Sequence, residues 1–411
     1  MKRAPMSMER MKAVDHWVGL PVCACLGLLA KLSGLAGSRR EIPADPRRIL
    51  IMKFFGLGSV VHASPMLRAI RERYPHSKLT FLTFAGTAGL VEGMGLCDEV
   101  WQLRTDGMRT FVGDVLRQTM RFLSTPIDIC IDLEFFSKFS TFMSVLSNAQ
   151  VRVAFQLNSF WRYSLVTHPV YYNYYRHVSD VYADAAAAIG ATVSDHRPQR
   201  IKVDAAALDR SRERLRDAGW NGSDRLVAVN INAGELSLER RWPGDRFAVV
   251  LERLAGTDGV QAVMTGSPDE AGYVASVVEL LSSDAKRRII NLAGKLTFTE
   301  FIASLDLYDF MLTNDSGPVH LAWAQQLDTI SLWGVGRPSF YGPRTGDHST
   351  LYRQLPCSPC LYMFTSQVGQ WCNHRADCMQ AIGVDEVWQT VKAYIANPRE
   401  ARSAIRVAEG W

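Results

Sequence analysis

Two successive series of short apolar runs, each run separated from the next by an amphipathic stretch, govern what this chain can fold into. Strands covered on both faces read as continuous apolar runs, and the helices that cross between them read as amphipathic, so the alternation points to parallel sheets of the α/β class. In the first series strands are expected at Ile49–Phe54, Lys78–Phe84, Glu99–Leu103, Ile127–Glu134 and Val151–Phe155. Helices fall between them, notably Val60–Tyr74 and Phe136–Ser147. The second series runs through Leu226–Ala233, Val260–Gly266, Arg288–Leu292, Phe310–Asn314 and Thr329–Trp333. Its helices lie near Asp245–Leu254, Asp269–Leu281, Thr299–Leu305 and Gly317–Gln325, and a last one is expected over Val384–Ala396. A chain of 411 residues has room for two such domains and an appendage. The expected division is residues 1–45 as an apolar membrane-associated segment and hinge, 46–205 and 206–396 as two Rossmann-like doubly wound domains, and 397–411 as a tail. Domains of this kind bind ligands at the carboxyl ends of their strands, which places the expected cleft between the two.

Hydrophobic residues make up 47% of the chain and charged ones 21%, which excludes long disorder. A net charge of +5, not gathered in one lobe, gives little support to a nucleic-acid partner. The run from Trp17 to Gly37, behind Lys2, Arg3, Arg10 and Lys12, admits a signal peptide, a spanning helix or a helix lying in a membrane interface. Glycines, Pro21 and Lys31 dilute it for spanning, and Trp17 with the flanking cations suits the interface best.

The first strand leads into Gly56-Leu57-Gly58-Ser59 and a helix, which brings backbone amides near a ligand. A dinucleotide site would want a third glycine near Val61 and an acid closing the next strand, and neither is present. More specific is Thr313-Asn314-Asp315-Ser316-Gly317-Pro318-Val319-His320, where a strand breaks into a helix. Ser316 and Gly317 offer a hydroxyl and amides, Pro318 suits the first turn, and the helix dipole favours a diphosphate. The plain alternative is an N-cap by Asp315 or Ser316. In residues 230–247, Asn232 lies at the end of the expected Leu226–Ala233 strand, Gly234 keeps that end open, and Arg240 and Arg241 precede Trp242-Pro243. A cation there suits a leaving phosphate; otherwise the arginines are solvated and Trp242 is core. Cys357, Cys360, Cys372 and Cys378 form a C-x-x-C followed by two thiols, with His374 near the third, which fits a structural zinc, buried reduced thiols or disulfides.

Taken in order, the GLG turn, Pro65, IDLE, the basic residue before RWP, TGSPDE, NLAGK and TNDSGPVHLA resemble the heptosyltransferases, glycosyltransferase family 9, along nearly all of residues 48–396. The resemblance implies a GT-B fold whose last helix returns toward the first domain, and inverting transfer from a nucleotide-diphospho-sugar such as ADP-heptose. It carries onto Arg240 as the cation facing the phosphates, onto Asp315, Ser316 and Gly317 as the diphosphate-binding turn and onto His320 as its neighbour; Gly58, Asn232, Gly234 and Asn314 complete the expected donor site. No Asp-x-Asp pair occurs, which argues against a metal-bridged diphosphate and for catalysis without a cofactor. The acceptor would be a lipopolysaccharide or another envelope glycan, on the cytoplasmic face of the bacterial inner membrane.

One position departs from the family. Where members carry a proposed catalytic aspartate, six residues before Pro65, this chain has Ser59. The best substitute base is Glu134, with His62 and Asp132 behind it; the competing role for Glu134 is a cap on the following helix. The rival readings are a non-catalytic nucleotide-sugar-binding scaffold and a sugar epimerase.

Overall fold

The computed structural model describes residues 15–32, 40–156, 160–234, 237–361, 372 and 375–397. The chain divides into two compact units, Met1–Gln199 and Arg200–Trp411. In the first unit the strands are β1 (Arg48–Met52), β2 (Lys78–Phe84), β3 (Glu99–Leu103), β4 (Ile129–Asp132), β5 (Val151–Gln156) and β6 (His168–Tyr171). They form one parallel sheet in the order β3-β2-β1-β4-β5-β6. The second unit repeats the plan with β7 (Arg225–Asn230), β8 (Val260–Met264), β9 (Ile290–Asn291), β10 (Tyr308–Asn314), β11 (Thr329–Trp333) and β12 (His348–Tyr352), in the order β12-β11-β10-β7-β8-β9. Each sheet therefore starts at its middle, builds outward and returns to build the other half. This is the GT-B pattern of two Rossmann-like units.

The interior strands are apolar and buried, as continuous covering by helices requires. The strands not expected from sequence, β6 and β12, lie at sheet edges. β6 alternates buried and exposed residues and carries Pro169, which an edge strand tolerates because one side needs no ladder donors. β12 is half-exposed along its length and has no apolar run to announce it. β1 and β4 stop earlier than expected because residues 53–56 and 133–137 leave the ladder to build the strand-end loops described below.

The Gly19–Leu32 helix lies along the first unit. Gly19, Cys23 and Gly27 recur every fourth residue and make its packing stripe. A Cβ on Gly19 would come within 2.7 Å of the Lys138 side chain, and one on Gly27 within 2.8 Å of Ser164 Oγ, so only glycine allows this approach. At its start Asp15 accepts from the amides of Lys138 (3.2 Å) and Phe139 (2.7 Å) and from Ser137 Oγ (3.2 Å), closing the amino end of the Lys138–Leu146 helix. Asp15–Leu32 is, among the described residues, the helix long and apolar enough to cross a membrane. Its close approach to the unit at both Gly19 and Gly27 favours lying along the protein.

The last helix, Val384–Ala396, has the expected bounds. Val387, Val391 and Tyr394 enter the second unit's core against the Gly244–Ala255 helix, and Arg225 Nη2 donates to Ile395 O at 2.8 Å. Trp242 ties the same region together: it is fully buried, edge-on to Phe247, and its indole N–H donates to Ile382 O at 3.0 Å. Trp242 is thus core, as the plainer sequence reading had it.

Removing this anchor should open a large cavity. Trp242→Ala is expected to cost the second unit about 3–5 kcal/mol, read from the shift of its transition in chemical denaturation. A loss below about 1 kcal/mol, the range of ordinary surface changes, would show that the indole does not organise this core.

Candidate functional site

Where strand order reverses, the loops after neighbouring strands leave in opposite directions and open a crevice at the carboxyl edge. In the first unit this point lies between β1 and β4, and in the second between β7 and β10. The residues singled out from sequence gather at these two places.

After β1, Lys53 is buried and its Nζ lies 2.8 Å from Glu134 Oε1. The same oxygen accepts from the backbone N–H of Phe54 (2.8 Å) and Phe55 (2.9 Å), while Lys53 Nζ also donates to Phe55 O at 2.7 Å. Glu134 thus clamps the loop that leads into Gly56. That glycine, with φ of 86°, is the residue of the GLG turn that needs its backbone freedom; Gly58 already lies inside the buried first turn of the Leu57–Arg73 helix. Two residues before Glu134, buried Asp132 pairs with Arg162 and accepts from Ser140 Oγ at 2.8 Å. Burial pushes the Asp132 carboxyl above the usual range, and Arg162 pulls it back. Arg162 Nη1 donates to the carbonyls of Glu134 (2.7 Å) and Phe155 (3.1 Å).

This geometry corrects the expectation for Glu134. Its Oε1 is committed to a lysine and two amides, and neither carboxylate oxygen reaches solvent. Nor does it cap the next helix, since Ser137 Oγ accepts the Ser140 N–H at 3.2 Å and Asp15 takes the neighbouring amides. His62 is fully buried, with Nδ1 3.1 Å from Ser179 Oγ and its ring edge-on to His177. Ser59 is buried beside Gly56, where an added Cβ would stand 2.9 Å from its Oγ.

In the second unit, Asn314 joins the two strands flanking the reversal. Its Nδ2 donates to Ile231 O (2.9 Å) and Asn232 O (3.4 Å), and its Oδ1 accepts from Trp242 N at 3.1 Å. This fixes the path into Arg240, whose guanidinium donates to Ala233 O and stands 3.8 Å from Asp315 Oδ1. Burial lowers the Arg240 pKa while Asp315 opposes the shift; burial likewise raises Asp315, and Arg240 opposes that. Gly336 presses on this pair: a Cβ there would overlap Asp315 Oδ2. Ser316 and Gly317 open the Gly317–Ala324 helix, with no cap bond from the Ser316 side chain. Gly234 has φ of 63° and open space about it. Asn232 donates through Nδ2 to Thr265 O at 3.4 Å, and its buried Oδ1 has no hydrogen-bond partner. His320, by contrast, turns inward and stacks edge-on to Tyr341. Arg241 lies over the Tyr273 ring at 4.1 Å.

The four clustered cysteines are near enough for the other three to add to the burial that pushes the Cys378 thiol up to about 11. They do not form a cage: Cys360 and Cys378 are buried, Cys357 is exposed, and among the described residues no group of three or more His, Cys, Asp or Glu is placed to hold a metal. All eight cysteines are free in this structure, and the zinc expectation finds no support among the described residues. His374, near the third cysteine, lies outside the described residues.

Sequence reasoning missed Lys53, Arg162 and Asp15. A signal for Lys53 existed: a lysine just past one apolar strand and a glutamate just past another become neighbours if those strands pair, as Met52 and Asp132 do.

Comparison with known proteins gives a match to the model for "Glycosyltransferase family 9 (heptosyltransferase)" over residues 123–369. The chain is 22% identical to Lipopolysaccharide heptosyltransferase 3 of Escherichia coli, over 73% of this chain and 88% of that one. A match to Lipooligosaccharide heptosyltransferase 2 of Haemophilus influenzae is 29% identical but spans only 29% of this chain and 34% of the relative. Among solved structures, E. coli ADP-heptose lps heptosyltransferase II superposes with a TM-score of 0.68 at 16% identity, covering 85% of this chain and 98% of that chain.

The buried clamp makes a test of the role of Glu134. Lys53→Met should destabilise the first unit by about 3–5 kcal/mol, because it leaves a carboxylate uncompensated. The double variant Lys53→Met with Glu134→Leu should recover much of that loss in a denaturation series. No difference between the single and double variants would remove the clamp.

Proposed function

Because the chain belongs to glycosyltransferase family 9, we propose that it transfers a heptose from an ADP-heptose-like donor to a lipopolysaccharide acceptor. The observation that carries the reading is Arg240, buried and held 3.8 Å from Asp315 where β10 opens into a helix. A leaving diphosphate placed there meets a guanidinium whose direction is already set by Asp315 and the Ala233 carbonyl. It also meets the amide end of the Gly317–Ala324 helix, so charge that develops on the leaving oxygen falls among oriented donors. Gly234 leaves room beside the strand end, and the unpartnered Asn232 Oδ1 offers an acceptor to a donor hydroxyl or amine.

In this reading the acceptor binds the first unit and the donor the second. The acceptor oxygen attacks the anomeric carbon as the bond to the diphosphate breaks, with inversion and with no metal needed to bridge the phosphates. Glu134 is a positioning residue for the loop over residues 54–56, and proton removal is assigned neither to it nor to His62, since Glu134 Oε1 is committed to Lys53 and two amides and His62 Nδ1 lies 3.1 Å from Ser179 Oγ, nor to Ser59, whose hydroxyl is not a base at neutral pH. The relatives favour transfer over the scaffold and epimerase rivals.

The Gly19–Leu32 helix supports a peripheral place on the cytoplasmic membrane face. Gly19, Cys23 and Gly27 meet the protein, while Leu28, Leu29 and Leu32, with Trp17 and Val18 just before the helix, are exposed. That is the polarity of an interfacial helix backed by a protein.

Isothermal titration with ADP tests the donor seat. Arg240→Ala should weaken ADP roughly tenfold to a hundredfold, the range for a hydrogen bond to a charged group. Gly336→Ala, which drives Asp315 from its place, should weaken it in the same direction, and a chelator should leave heptosyl transfer at the untreated rate. Unchanged ADP affinity in both variants moves the donor elsewhere.

A further inference from the structure

The Met108–Ser124 helix of the first unit carries two apolar stripes. Phe111, Val115 and Phe122 pack on the sheet core, as every helix of this architecture must. One residue on, roughly 100° round the helix, Met108, Val112, Leu116, Met120 and Leu123 form a second stripe that covers nothing. These five side chains are between 47% and 75% exposed. Scattered exposed leucines need no explanation, but five in register over four turns do.

The charges beside the stripe select its occupant. Arg109 and Arg117 flank it and are exposed, Arg121 lies over the Trp101 ring at 5.3 Å, and the helix's one acid, Asp114, is buried and paired with Arg104 (2.8 Å) and Arg117 (2.7 Å). A basic, outward-facing apolar helix fits a surface that is apolar inside and anionic at its edge. A second copy fits badly, because a two-fold contact through this stripe would set arginine against arginine. The helix also packs beside the Lys138–Leu146 helix, the one whose amino end Asp15 closes, so Met108–Ser124 and Gly19–Leu32 both rest on that one helix of the first unit.

We propose that the Met108–Ser124 helix is a second membrane contact, which seats its outer stripe in the headgroup region of an anionic bilayer independently of the N-terminal helix. The proposal rests on the membrane-surface reading above and deepens it: a second contact on the same unit resists rotation about the axis of the N-terminal helix, which that helix alone leaves open. It also accounts for an apolar stripe that packing within the unit leaves unused.

The test uses the full chain and vesicles of phosphatidylethanolamine with phosphatidylglycerol, with all-phosphatidylcholine vesicles alongside. Leu116→Glu with Met120→Glu changes only exposed residues, so the melting temperature should hold while partition into anionic vesicles falls at least about tenfold. Met120→Leu should bind as the wild type does, and added salt should weaken the wild type on anionic vesicles. A second pair, Leu28→Glu with Leu29→Glu, reports on the N-terminal helix alone. If the Leu116/Met120 variant partitions like the wild type while the Leu28/Leu29 variant does not, the stripe does not touch lipid and the proposal is overturned with the membrane reading intact. If the wild type ignores both vesicle types, the membrane reading itself fails. A Leu116/Met120 variant that keeps lipid binding but loses a dimer in sedimentation velocity gives the stripe to a second copy, and also overturns the proposal.

Discussion

A parallel sheet that reverses its strand order cannot seal its own carboxyl edge, and the functional architecture of this protein depends on that gap. In both units the chain lays down three strands, returns to the middle and continues on the other side. The backbone groups stranded at the reversal need partners, since buried amides and carbonyls are costly when unpaired. The two units answer differently. Between β1 and β4 the partners are ionic, with Lys53, Glu134, Asp132 and Arg162 in one buried network. Between β7 and β10 they are mainly amides, Asn230, Asn232 and Asn314, which hold the chain in place with Arg240 and Asp315 beside it.

The difference bears on Ser59. The first unit's strand ends already hold two acids and two cations, each acid with its own cation. A third buried carboxylate at residue 59 would have to share these two cations or find another, and an uncompensated buried charge is expensive. Serine at this position is therefore consistent with the packing around Gly56, whatever group takes the acceptor's proton. The second unit carries no such restriction, and its motif, TNDSGPVH, keeps every residue of the family pattern quoted for it.

Much of this was legible in the chain. Lys78–Phe84, Glu99–Leu103 and Thr329–Trp333 are strands with the bounds their apolar runs announce. The helix break at Ser316-Gly317-Pro318 could be read from residue types alone, because proline and an N-cap residue have few other uses in that order. Glu134 could not be read so. Whether a carboxylate at a strand end faces substrate or a buried lysine depends on the register between β1 and β4, which lie about eighty residues apart in sequence and carry no local signal of it. The edge strands β6 and β12 were hidden for the opposite reason: an edge needs little apolar surface, so nothing in their composition marks them. The four cysteines show a third limit, since spacing brings thiols near one another without fixing where each points.

Asp15 has a consequence beyond closing a helix. Its carboxylate serves the Lys138 and Phe139 amides from another element, so the N-terminal helix and the body share one set of hydrogen bonds. Lifting the helix away would strip that end of its acceptor, at a cost of about 0.5–2 kcal/mol for a lost cap. The joint therefore behaves as a latch rather than a leash. A surface that holds the outer face of the helix holds the whole first unit at a set angle, and the carboxyl edge of its sheet inherits that angle from Asp15 and the glycine stripe together.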